Sequence, residues 1–175
     1  MKRFAALAML AALAPVLGSC GLHPLYASGG HGTVARALGT IEVGQIAGRN
    51  GWLVRNALID RLSAAPKGAP RYRLEVELDD QILGFGVRTD NTVTRERRTL
   101  RARYRLVDAG AGGTVLLDAT AGSDAGIDVV TSEYAVIAAE QTALERLSGE
   151  IADQIVARLA LYASRTPDAV LPPAR

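Results

Sequence analysis

The chain has 175 residues, a single Cys, and 20 Lys+Arg against 18 Asp+Glu, a formal net charge of +2. Two of the cations, Lys2 and Arg3, fall in a segment read below as a cleaved signal, so the remainder balances 18 (20 minus 2) against 18. That balance excludes the cationic excess a nucleic-acid binder needs, the lone Cys excludes an internal disulfide, and the length holds one domain rather than two.

Residues 1–19 read as a lipoprotein signal peptide. Lys2 and Arg3 form its basic start, residues 4–17 an apolar stretch interrupted by Pro15, and Leu17-Gly18-Ser19-Cys20 the small-residue cleavage site of a lipobox. The apolar stretch is shorter than the roughly 20 residues that a membrane-spanning helix requires. Cleavage leaves 156 residues (175 minus 19) with Cys20 at their head, its thiol placed for lipid attachment. Residues 20–37 are expected to form the anchor and tether, small and Gly-rich over 27–33. Residues 38–163 form the folded domain, and 164–175, with Pro167, Pro172 and Pro173, a disordered tail.

Within the domain, residues 38–46 alternate and predict a first strand. Gly48-Arg49-Asn50-Gly51 follows as a turn, with Asn50 placed to cap the next helix. That helix is expected over 52–62, where Trp52, Leu58, Ile59 and Leu62 recur at near-helical spacing, and it ends before Pro66. Residues 71–81 put Tyr72, Leu74, Val76 and Leu78 on one face of a strand and Arg71, Arg73, Glu75, Glu77 and Asp79 on the other. Residues 94–107 repeat the pattern with Leu100, Ala102, Tyr104 and Leu106 opposite Arg95, Arg97, Arg101, Arg103 and Arg105. A weaker alternation over 114–121 follows a Gly-rich turn at 110–113 and completes an antiparallel meander.

Residues 132–163 predict a long helix whose stripe contains Ile137, Leu144, Leu147, Ile151, Ile155, Leu159 and Tyr162. Its length, about 45 Å at 1.5 Å per residue, exceeds a typical strand, so one end should overhang the sheet, meet a partner or cross diagonally. The fold class that follows is α+β: two helices packed on one face of a mixed, mostly antiparallel four-stranded sheet. Leu144, Leu147, Ile151, Ile155 and Leu159 should be buried against Leu74, Val76, Leu100 and Leu106.

The opposite, wet face carries Arg71, Arg73, Arg95, Arg97, Arg101, Arg103 and Arg105 against Glu75, Glu77 and Asp79. With the hairpin turn near Val87-Arg88, Glu75 should face Arg101 and Asp79 face Arg97 as solvated ion pairs. Arg103 and Arg105 should then face other arginines and gain little stability from being there. An exposed guanidinium ladder suits bidentate contacts with phosphates or with acidic groups of a protein partner. Arg95, Arg97, Arg101, Arg103 and Arg105 are therefore the candidate binding residues.

No catalytic constellation is legible: there is no P-loop, H-E-x-x-H or G-x-S-x-G motif. His23 and His31 both lie in the tether, short of the three or four oriented ligands a metal site needs, so neither metal nor cofactor is expected.

Cys20-Gly21-Leu22-His23-Pro24-Leu25-Tyr26 closely resembles the stretch after the lipobox in the LptE family of lipopolysaccharide-assembly lipoproteins. The order of elements is also similar to that family, as is the helix text Tyr134-Ala135 through Ala152-Asp153-Gln154-Ile155 and Arg158-Leu159-Ala160. The resemblance implies a non-enzymatic lipoprotein, lipidated at Cys20 and held on the periplasmic side of the outer membrane. It implies an LptD-type outer-membrane barrel as partner, which the chain would plug and help assemble, and delivery of lipopolysaccharide to the outer leaflet as the task. Gly21 in place of Asp after the Cys agrees with outer-membrane sorting. The resemblance transfers no particular residue to the arginine face. The competing reading is an auxiliary periplasmic lipoprotein of another envelope lipid transporter or of a cell-wall synthase.

Overall fold

The computed structural model describes residues 32–87, 93–110 and 112–166. In chain order they form helix α1 (Thr33–Leu38), strand β1 (Ile41–Val43), helix α2 (Gly48–Leu62), strands β2 (Tyr72–Val87), β3 (Val93–Asp108) and β4 (Thr114–Asp128), and helix α3 (Glu133–Arg165). The strands make one sheet in the order β1-β2-β3-β4, with β1 parallel to β2 and the other two contacts antiparallel. This is the expected α+β class with its mixed, mostly antiparallel four-stranded sheet.

The core lies where the alternation places it. Leu74, Val76, Leu100 and Leu106 from the sheet are buried with Leu144, Leu147, Ile151, Ile155 and Leu159 from α3, and Val54, Leu58 and Leu62 from α2 complete the layer. The first turns of α3 overhang this layer: Tyr134 is 84% and Ile137 57% exposed, so the apolar stripe of that helix begins at Ala143 and not at Ile137. Trp52, read as a core position, is also largely exposed. The buried face of α2 instead runs through Gly51, Val54, Leu58 and Leu62. Gly51 allows the start of α2 to close on Ile46, whose carbonyl oxygen would lie 2.5 Å from a Cβ placed there.

The N-terminal part differs from the expectation. The strand predicted over 38–46 shrinks to three residues, and α1 occupies the end of the segment assigned to the tether. Ala35, Ala37 and Leu38 are buried, because Val34, Ala35, Ala37 and Leu38 fall at helical rather than alternating spacing. The chain then turns at Gly39, where a Cβ would collide with the Pro66 carbonyl oxygen. Asn50 does not cap α2, which starts at Gly48 with Ala47 as its uncapped N-terminal neighbour. At the other end α3 continues through Arg165, two residues into the expected tail. Residues 1–31 and 167–175, including Cys20, both His and the rest of the Pro-rich stretch, lie outside the described residues.

The β2–β3 ladder runs from Tyr72↔Asp108 to Val87↔Val93 without a shift, four residues off the expected register. β2 continues through Val87, and the rest of the turn expected near Val87-Arg88 lies outside the described residues. Glu75 therefore faces Arg105, Glu77 faces Arg103 and Asp79 faces Arg101, while Arg97 faces Leu83. Because four is even, every side chain keeps its face, and the core assignment survives the wrong register.

Candidate ligand- and partner-binding face

The face of the sheet opposite the helices carries the arginine rows, and β4 changes their balance. That strand runs seven residues beyond the alternation read at 114–121, to Asp128, and contributes Asp118, Asp124 and Asp128 to the same face. With Glu42 of β1 across from Arg73, seven arginines thus meet seven acids, and the excess of four carried by β2 and β3 alone is cancelled. Arg103 and Arg105 do not face arginines. Arg103 donates from Nε (3.2 Å) and Nη2 (2.8 Å) to the two carboxylate oxygens of Asp118, and Arg105 Nη2 lies 3.5 Å from both Glu75 and Glu77. The Arg103 hydrogen bonds hold the Asp118 carboxyl below its ordinary range and raise the guanidinium in turn. Arg95 Nε donates to Asp128 at 3.0 Å, and Arg73 sits 3.8 Å from Glu75.

Arg97 and Arg101 are the exceptions among the five candidates. Neither has a carboxylate within ion-pair distance among the described residues, and each stands across from a glycine of β4, Gly126 and Gly122 respectively. The guanidinium of Arg101 lies over Gly122, where a Cβ would come within 3.1 Å of Nη1. Arg97 stacks on the Phe85 ring with its guanidinium carbon 5.5 Å from the centroid. Arg101 lines a shallow hollow of about 460 Å³ with Glu77, Asp79, Arg103, Thr120 and Gln154. The sheet therefore brings together all five arginines but leaves only two free to bind something else.

A second constellation escaped the sequence reading. Arg98 falls on the apolar face and is buried, donating from Nε (2.9 Å) and Nη2 to Asp80 and from Nη1 to the main-chain oxygen of Glu140 (2.9 Å). Asn50 donates to the same Asp80, so one carboxylate ties α2, β2, β3 and α3 together. Beside it Glu96 keeps one buried carboxylate oxygen without a partner, and burial, with Glu140 nearby, raises its pKa. The signal was present: in Arg97-Arg98 two consecutive arginines must point to opposite faces of a strand. Among the described residues no group of His, Cys, Asp and Glu is arranged to hold a metal, and no helix is long and apolar enough to cross a membrane.

The sequence model of the LptE family, described as lipopolysaccharide-assembly, matches residues 38–159, most of the chain. The chain belongs to the LptE family. A solved lipoprotein from Caulobacter crescentus CB15 is 30% identical, covering 82% of this chain and all of its own, with a TM-score of 0.63. Two further structures share the fold at 12% identity. The minor lipoprotein of Acinetobacter baumannii aligns over 72% of this chain and 92% of its own (TM-score 0.57). The rare lipoprotein B of Shewanella oneidensis aligns over 72% and 96% (TM-score 0.52). No curated protein matches the chain. LptE membership assigns the chain to lipopolysaccharide assembly as an accessory lipoprotein.

Proposed function

We propose that this LptE-family chain is anchored in the outer membrane by lipid on Cys20, faces the periplasm, and partners and plugs an LptD-type barrel that delivers lipopolysaccharide to the outer leaflet. The family match over residues 38–159 carries this reading, and the lipobox ending in Cys20 supports the anchor. Its role is binding and assembly rather than catalysis. Within the candidate set, Arg97 and Arg101 are the residues for lipid phosphate. Arg95, Arg103 and Arg105 are committed to acids of the same sheet and serve mainly to keep the face flat and neutral.

Purification of the native complex from detergent-solubilised outer membranes tests the partner. A large heat-modifiable barrel recovered with the chain supports the reading. Recovery of an inner-membrane transporter or a peptidoglycan synthase in its place replaces that reading with the auxiliary-lipoprotein alternative. Metabolic labelling with palmitate tests the anchor: label should enter the parent chain and be absent from Cys20→Ala.

A further inference from the structure

A lipid on Cys20 would fix which end of the domain lies near the membrane. Cys20 stands thirteen residues (33 minus 20) before Thr33, where α1 begins, so at about 3.4 Å per residue the start of α1 stays within about 45 Å of the leaflet. Helix α1 in turn belongs to one end of the fold. The Gly39 carbonyl after it accepts from the Gly68 N–H (3.0 Å), and the Thr40 carbonyl accepts from the Arg71 N–H (2.9 Å). Leu38 shares a hollow of about 280 Å³ with Thr40, Ser63, Lys67 and Gly68. The Arg71 carbonyl accepts from the Ala109 N–H (3.0 Å), and α3 reaches the same end at Tyr162, close enough to Tyr72 to raise its pKa. The end therefore consists of α1, the 63–71 loop, the start of β2, the end of β3 and the last turn of α3.

Cations collect there. Arg36 on α1, Lys67 in the loop and Arg165 in the last turn of α3 are all exposed, and none has a carboxylate within ion-pair distance among the described residues. A fourth, Arg71, is held between Asp108 (3.7 Å) and the ring of Tyr72 (5.3 Å). The other acids on this side are engaged elsewhere: Glu42 faces Arg73, and Asp60 acts on Arg61. Three cations outside any described ion pair thus stand at one end of a chain that carries no net charge once residues 1–19 are removed. The exposed aromatics, Trp52, Phe85 and Tyr134, lie away from this end, which suits contact with headgroups rather than insertion among acyl chains.

We infer that the end bearing Arg36, Lys67 and Arg165 is a docking surface for anionic phospholipid headgroups in the leaflet that holds Cys20. The inference rests on the Cys20 anchor and needs no barrel. Each cation close to an anionic leaflet strengthens the attraction about fivefold, and the tether makes the contact intramolecular, so a patch too weak to hold a free protein still holds an anchored one against the surface.

The test is energy transfer with the intact lipidated chain in vesicles of phosphatidylcholine, alone or mixed with phosphatidylglycerol. A donor dye on Ala64→Cys, an exposed position beside Ser63, reports the cationic end, a donor on Leu83→Cys the opposite end, and a headgroup-labelled lipid accepts. Transfer from position 64 should be greater in the anionic vesicles, fall with added salt, and drop to the neutral-vesicle value in Arg36→Gln with Lys67→Gln and Arg165→Gln. That triple variant should keep the parental thermal midpoint, since no described ion pair is lost. Equal transfer in the two kinds of vesicle overturns the proposal, as does an equal gain at position 83 or an unaffected triple variant. If the triple variant does not fold, the lipid and salt comparison on the parent decides. If the chain stays in solution with neutral vesicles, the anchor reading has failed, and sedimentation with phosphatidylglycerol vesicles decides separately: the parent should bind roughly a hundredfold more tightly than the triple variant, and a parent that does not bind overturns the patch.

Discussion

Arg98 grips Asp80 through two parallel hydrogen bonds on the apolar face of the sheet, with side-chain exposures of 10% and 14%. The pair is a fastener rather than a stability surplus, since desolvating both charges offsets much of their attraction. Removing one partner is a different matter. Arg98→Ala should cost about 3 to 5 kcal/mol, because Asp80 is left buried with only Asn50 as partner and the Glu140 carbonyl loses its donor. Arg98→Met with Asp80→Leu should cost clearly less than Arg98→Ala. Urea unfolding of the three variants checks this, and equal losses would show that the pair itself, not the orphaned charge, carries the stability.

Glu96 predicts a pH dependence. Burial, then the neighbouring Glu140 carboxyl, raises its pKa in the fold above the ordinary glutamate value. Below that ordinary value both folded and unfolded states hold the proton, and Glu96 contributes its full share. As pH rises through the raised folded value, the native state must ionise a half-buried group, and that share is lost. Glu96→Gln keeps a donor toward Glu140 without the charge. It should therefore match the parent in thermal midpoint near pH 4 and exceed it at pH 7 to 8. A constant difference across that range would mean that Glu96 does not titrate in the fold.

The centre of α3 tests the packing. Ile151 is fully buried in the cluster that includes Leu74, Leu100 and Leu147, so Ile151→Asp should cost several kcal/mol by placing an unpaired carboxylate there. Ile137→Asp, one overhanging turn of the same helix, should change little because that side chain already meets solvent. A thermal midpoint for Ile151→Asp within a degree or two of the parent would remove the stripe from the core.

These residues also show how far the sequence could be read. The periods of 2 and 3.6 assign faces, so Leu74, Leu100, Leu144 and Ile155 were legible as core from pattern alone. Period says nothing about where a hairpin turns, and the four-residue error in register left the core intact while misassigning every cross-strand partner of the arginines. Arg103 and Arg105 were misjudged for a second reason: their acids include Asp118, on a strand whose alternation is diluted by Ala119, Ala121 and Gly122. Helix α1 was missed because Ala35 and Ala37 are small enough to pass for tether, and only Gly39 against Pro66 shows why the chain must turn there.

The arginine face yields the prediction that bears most directly on lipopolysaccharide. Arg97 and Arg101 are in no ion pair with a described residue and stand across from glycines, so replacing both with Gln removes no ion pair between described residues and should leave folding unchanged, apart from the loss of the Arg97 stack on Phe85. Arg103→Gln with Arg105→Gln breaks contacts to Asp118, Glu75 and Glu77, leaves Glu75 with Arg73 alone, takes from Asp118 and Glu77 their ion pairs with Arg103 and Arg105, and should lower the thermal midpoint slightly. If the free guanidiniums take phosphate, the Arg97/Arg101 pair should weaken binding of purified lipopolysaccharide by about three- to tenfold per residue, since each lost charge-assisted contact is partly screened at the surface. Binding by the parent should fall with added salt. Titration at low and physiological salt separates the outcomes. Equal affinity of the parent and the Arg97/Arg101 variant would make these two arginines ordinary surface residues. A loss confined to the Arg103/Arg105 variant would mean that those guanidiniums leave their acids to meet the lipid.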